Sequence, residues 1–62
     1  MAFIKNKSPK IGDWVTTKKV HENLIGKMTR GSRVKIVDID PMRGYTIEDE
    51  DGNQVCEIGW EI

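Results

Sequence analysis

Side chains that could carry out catalysis are few and poorly placed in this 62-residue chain. Covalent catalysis requires a nucleophile beside a general base. The single histidine, His21, would have to reach Ser8 or Ser32, which lie in separate segments. The single cysteine, Cys56, is expected to be a small, half-buried apolar side chain. These residues therefore predict a protein that is not an enzyme.

Metal and redox chemistry are not indicated either. One cysteine excludes an internal disulfide and a cysteine-rich metal site, and a lone thiol is typical of a reducing, cytoplasmic environment. The acidic run at residues 48–51 offers hard oxygen ligands but lacks the spacing of a calcium loop. We interpret it as a solvated hairpin and expect no metal and no cofactor.

The candidate binding site combines one aromatic ring with cationic groups, which suits stacking on bases and neutralising phosphates. Its members are Trp14, Lys18, Lys19, Lys27, Arg30 and Arg33. If Val15 and Thr17 face the core, Trp14 lies on the surface as a platform. Alternatively, Trp14 packs beneath the long loop that follows it, against Leu24 or Ile25.

Charge is balanced overall but separated along the chain. Ten basic and ten acidic side chains give a formal net charge of zero. Nine basic and two acidic groups give residues 1–36 a charge of +7, and one basic and eight acidic groups give residues 37–62 a charge of −7. Either the basic side of a dipole attracts an anionic partner, or pairing across strands sets Arg33 and Lys35 beside acidic residues.

The elements that would position these side chains are β-strands. Residues 1–10 are polar and lysine-rich and predict a flexible basic arm without the apolar centre of a secretory signal, and residues 11–62 predict one domain. Residues 18–30 predict a long polar connection that contains His21. Composition and turn signals predict five strands, at residues 11–17, 32–40, 45–50, 53–57 and 60–62.

The second strand carries its apolar residues in two phases. Val34 and Ile36 share one face, whereas Val37 and Ile39 share the other, so we expect a bulge between the two pairs. Trp60 is predicted to lie in the core or to close the barrel.

The third strand and its turn form the clearest hairpin. Asp51-Gly52 predicts a tight two-residue turn with positive φ at both positions. Strand alternation sets the expected directions of the side chains: Tyr45 and Ile47 inward, and Thr46, Glu48 and Glu50 outward.

With these elements, residues 11–62 resemble the Src-homology-3-like barrels. The opening Gly12-Asp13-Trp14-Val15, and a tyrosine-led strand that ends in Gly52-Asn53, are similar to small bacterial and phage versions. The resemblance implies a five-stranded barrel of two orthogonal antiparallel sheets. It also implies a set of connections: a long first loop at 18–30, a second loop at 41–44, a distal hairpin at Asp51-Gly52 and a 3₁₀ turn at Ile58-Gly59.

The resemblance bears on function as well. The chain has one tyrosine and a basic first loop, so recognition of proline-rich peptides is not expected. We expect a cytoplasmic, monomeric module that binds a protein partner through the first loop and the surface around Trp14. Weak nucleic-acid binding by the basic loop is the alternative, although a pI near 6.5 is low for that role. No apolar run approaches the roughly 18 residues of a membrane helix.

Overall fold

The computed structural model describes residues 8–62, which form two antiparallel sheets and no helix. The strands are β1 (Trp14–Thr16), β2 (His21–Glu22), β3 (Lys27–Met28), β4 (Arg33–Asp40), β5 (Gly44–Asp49) and β6 (Gln54–Val55). The all-β prediction is confirmed for this part of the chain. Residues 1–7 of the predicted arm lie outside the described residues. No helix long and apolar enough to cross a membrane is present between residues 8 and 62.

Four strands form the larger sheet, in the order β1-β4-β5-β6, and β2 and β3 pair separately. One row of residues runs straight across the larger sheet. Trp14 is aligned with Lys35, Lys35 with Glu48, and Glu48 with Gln54. The ladder is not closed, because β1 and β6 are its edges among the described residues.

The predicted bulge in β4 is confirmed. The register between β4 and β5 shifts between Ile36 and Asp38. Val34 and Ile36 are fully buried before the shift, and Ile39 packs against the core after it. The bulge therefore lets one long strand direct apolar residues of both phases toward the interior.

The core is small and consists of valine and isoleucine with one methionine and one tyrosine. Its buried residues are Met28, Val34, Ile36, Tyr45, Ile47 and Val55. The inward directions of Tyr45 and Ile47 are confirmed, but Thr46 was expected in solvent and is buried. The chain after β6 covers it, and the Glu57 N–H donates to its hydroxyl at 3.3 Å.

The first loop departs most from prediction. Residues 18–30 contain the β2–β3 hairpin, so the described residues hold six strands rather than five. His21, expected in a loop, is a buried β2 residue whose Nε2 donates to the Ile62 carbonyl at 2.6 Å. Met28 of β3 lies in the core. Each strand has two residues, too few for an alternation pattern to be visible in the sequence.

The distal turn is also built differently. Among the described residues Gly52 has φ of 90° but Asp51 has no positive φ, so the loop is the three-residue type with a glycine bulge. Gly52 N–H donates to the Asp49 carbonyl at 3.2 Å, and Asp49 N–H donates to the Asn53 carbonyl at 2.9 Å. The Asp49 carboxylate accepts hydrogen bonds from the N–H groups of Asp51 and Asn53, both at 2.9 Å. This carboxylate closes the turn without a second left-handed residue.

The last residues form neither the predicted 3₁₀ turn nor the predicted strand at 60–62. Instead, Gly59 makes an isolated parallel bridge to Gly44 at the start of β5. Trp60 is 53% exposed rather than buried in the core, and its ring meets Tyr45 edge-on with centroids 5.2 Å apart. The Lys18 N–H donates to the Ile62 carbonyl at 3.0 Å, which ties this end to the chain after β1.

Candidate functional site

Trp14 lies on the outer face of the larger sheet. Val15 is half-buried against the core, so strand alternation directs Trp14 outward, where it is 41% exposed. The Arg33 guanidinium lies 5.3 Å from the centre of the Trp14 ring, and the Lys35 ammonium lies 5.7 Å from it. Both cations come from β4 because Lys35 is aligned with Trp14, and Arg33 with Thr16. We call Trp14, Arg33 and Lys35 the Trp14 face.

Lys35 is absent from the predicted site, although alternation along β4 could have revealed it. Arg33 and Lys35 are two residues apart and therefore share a side of the strand. If Arg33 lies beside Trp14, then Lys35, the next residue on the same side of β4, is expected to lie there as well.

The remaining predicted residues lie elsewhere. Among the described residues, the cations that contact the Trp14 ring are Arg33 and Lys35. Lys19 pairs with Glu61 at 3.4 Å. Lys18 follows β1, Lys27 lies in β3 and Arg30 lies in the loop before β4. Because β3 contacts β6, Lys27 is at the sheet edge opposite to β1.

A second feature is the tip of the first loop, residues 23–26, where β2 turns into β3. Leu24 is fully exposed and Ile25 is 69% exposed. Asn23 fixes the backbone beneath them. Its Oδ1 accepts from the N–H groups of Ile25 at 2.9 Å and Gly26 at 3.1 Å, and its own N–H donates to the Gly26 carbonyl at 2.9 Å.

The first-loop tip is anchored to the larger sheet at β6. Asn23 Nδ2 donates to the carbonyl of Cys56, the residue that follows β6, at 2.6 Å. A Cβ atom on Gly26 would lie 2.5 Å from the Gln54 carbonyl oxygen, so only glycine permits this approach of the two backbones. The tip is therefore held against a neighbouring strand.

The base of the loop is tied to β1 by Thr17, which is buried directly after that strand. Its hydroxyl donates to the Thr29 carbonyl at 2.8 Å and accepts from the Ser32 N–H at 2.9 Å. His21 adds its bond to the C-terminal residue. The segment predicted as a long polar connection is thus a hairpin that is bonded at its base and at its tip.

One of the two alternatives for Trp14 packed its ring against Leu24 or Ile25, whereas both of these side chains are exposed. The available signal was the Asn23-Leu24-Ile25-Gly26 sequence, because asparagine commonly closes a turn onto backbone two and three residues ahead.

Within residues 8–62, no group of three or more His, Cys, Asp or Glu side chains is arranged to hold a metal ion. The first-loop tip and the Trp14 face are two candidate functional features of the described residues. Comparison with known proteins finds no family model, no curated protein and no solved structure that matches the chain.

Proposed function

We propose that this chain is a non-catalytic interaction module that binds a protein partner through the first-loop tip. The observation that supports this function is the pair Leu24 and Ile25, exposed on a turn that Asn23 closes. Burying both side chains would remove apolar area from water, which is favourable by about 25 cal/mol per Å². Because the turn is already ordered, little of that gain is lost to fixing the loop.

The chemistry of the tip favours a protein over a nucleic acid. Aliphatic side chains neither stack on bases nor neutralise phosphates, and they gain most in an apolar pocket. The residues on the two strands below the tip, Glu22 and Lys27, are aligned and of opposite charge, so they offer no net attraction to a polyanion. The partner should present an apolar pocket with a polar rim.

We propose further that the fold is a Src-homology-3-like barrel with two roughly orthogonal sheets. Three features support it. The bulge bends β4 within the β1-β4-β5-β6 order, and a hairpin occupies the long first loop. The bond between Lys18 and Ile62 sets the chain end beside β1.

A differential capture experiment tests the binding function. Leu24→Asp removes the apolar tip, and Met42→Asp makes the same change at another exposed apolar residue, in the second loop. Both variants should melt within a few degrees of the unmodified chain, because exposed positions have little effect on stability. The unmodified chain and Met42→Asp should retain the same proteins from a lysate of the source organism. The amount of these proteins that Leu24→Asp retains should be at least about tenfold lower. Equal recovery with both variants would refute a role for the tip.

A second candidate function is weak nucleic-acid binding by the Trp14 face, favoured by the exposed ring beside Arg33 and Lys35. Such binding would weaken steeply with salt, because neutralised phosphates release counterions. Titration with a single-stranded oligonucleotide should then shift the Trp14 and Arg33 amides at low salt and leave the first-loop tip unchanged. No shifts at low salt would exclude this function.

A further inference from the structure

The outer edge of β1 is open within residues 8–62. The Asp13 carbonyl accepts from Ile36 N–H, and Thr17 N–H donates to the Ser32 carbonyl, both at 2.9 Å, so these residues face β4. In an antiparallel pair, alternate residues bond to the neighbour, so Val15 faces β4 and the backbone groups of Trp14 and Thr16 point away from it. In the described part of the chain these outward N–H and C=O groups have no hydrogen-bond partner.

Two grooves follow this edge, and both are lined by Ser8, Pro9 and Val15. One, of about 480 Å³, runs beside Trp14 and Pro9. The other, of about 460 Å³, is lined by Val15, Tyr45, Trp60 and other residues. An added strand would therefore find unpaired backbone groups with space on both sides, and aromatic side chains along the second groove.

The surroundings of the edge are mainly basic. Lys10 lines the first groove and Lys18 the second, and Arg33 and Lys35 lie over the Trp14 ring. Of the two acidic groups nearby, Asp13 in the first groove keeps its negative charge, because its donor is a backbone N–H, whereas Glu61 is paired with a cation. Asp13 Oδ2 accepts from the Lys10 N–H at 2.9 Å, and Glu61 pairs with Lys19 at 3.4 Å. An acidic occupant is the complement of this charge.

We propose that the open edge of β1 binds an extended segment of a partner protein, in which acidic and apolar residues alternate. Its backbone pairs with Trp14 and Thr16, as in other cases of strand addition to a sheet edge. Because successive side chains of a strand point to opposite faces, the acidic residues meet Arg33 and Lys35 while the apolar ones enter the groove at Tyr45 and Trp60. This site is separate from the first-loop tip and does not depend on it.

The probe is a short capped peptide of alternating glutamate and valine. When it binds, hydrogen exchange at the Trp14 and Thr16 amides should slow at least about tenfold. Thr16→Pro removes an outward N–H without touching the bonds to β4, since proline is tolerated where an edge N–H faces away from the ladder. It should weaken peptide binding at least about fivefold, whereas Thr16→Val and Leu24→Asp should bind as the unmodified chain does.

Two altered peptides keep the test decisive even if Thr16→Pro does not fold. A peptide N-methylated on alternate residues, on the edge that would pair with β1, has the same side chains but lacks the pairing N–H groups. A peptide with lysine in place of glutamate keeps those groups and reverses the charge. Both should fail to slow exchange at Trp14 and Thr16. Equal binding of either peptide overturns the proposal, as does protection of these amides that rises with protein concentration alone, which would identify a second copy as the occupant.

Discussion

Short polar side chains close the turns of this molecule, each by bonding several backbone groups. Asn23 accepts from two N–H groups at the first-loop tip. Asp40 accepts from Met42 N–H at 2.8 Å and Arg43 N–H at 3.0 Å in the second loop. Asp49 performs the same task in the distal turn. These side chains therefore take the place of backbone acceptors in the turns.

Asp49 gives a pH-dependent test of this role. The side-chain hydrogen bond from Asn53, followed by backbone N–H groups of the turn, holds the pKa of the Asp49 carboxyl below its ordinary value. The stabilisation it gives is present above the ordinary pKa of aspartate and is lost as the pH falls through the lowered pKa. Asn53→Ala should raise the pKa of Asp49, whereas Gln54→Ala should leave it unchanged, as read by NMR titration of the carboxyl carbon. The same pKa in both variants would contradict this hydrogen-bond assignment.

At the scale of elements, the contact between the start of β5 and the last residues admits no side chain. Gly44 has φ of 92°, and a Cβ atom there would overlap the backbone of Gly59. Gly31 has a similar φ of 85° with open space around it. Gly31→Ala should therefore lower the free energy of unfolding by about 1–2 kcal/mol, which is the strain of a left-handed backbone at alanine.

Gly44→Ala should lower the free energy of unfolding clearly more than Gly31→Ala does, because the bridge between Gly44 and Gly59 must also open. Urea denaturation of the two variants measures the difference in the free energy of unfolding. Equal losses would show that Gly59 does not pack against β5 as described.

The sequence predicted the long elements and missed the short ones. β4 and β5 are long enough for alternation, and for the phase change at the bulge, to be visible. The β2–β3 hairpin has two residues in each strand and depends on contacts distant in sequence, such as those of His21 with Ile62 and Asn23 with Cys56. The Asp51-Gly52 pair correctly indicated a hairpin, but the two-residue type predicted from it is wrong, because hydrogen bonds to the Asp49 carboxylate close a three-residue loop.

The candidate site, like the fold, was predictable only in part. Alternation in β1 gave the outward direction of Trp14 as one of two alternatives, and that alternative is confirmed. Arg33, another residue of the predicted site, lies over the Trp14 ring from the neighbouring strand. Exposure of Leu24 and Ile25 was not predictable, because apolar residues in a small domain are normally counted toward the core. What exposes them is the anchoring of the hairpin at β6.

At the scale of the whole molecule, the fold brings parts of the basic and acidic segments together. Lys35 is aligned with Glu48, and Lys19 pairs with Glu61. Arg33 and Lys35 also both lie over the Trp14 ring, which leaves cationic groups at the β1 edge. Within residues 8–62 the two edges of the sheet thus differ in character, since the hairpin and its apolar tip cover β6 while β1 is open and basic.

The central claim is that the first-loop tip is rigid while its two apolar side chains remain in water. Backbone ¹⁵N relaxation of the free protein tests it directly. The order parameters of Leu24 and Ile25 should approach those of the strands, about 0.85, and should drop in Asn23→Ala. Values below about 0.6 in the unmodified protein, as for a freely moving loop, would contradict the claim.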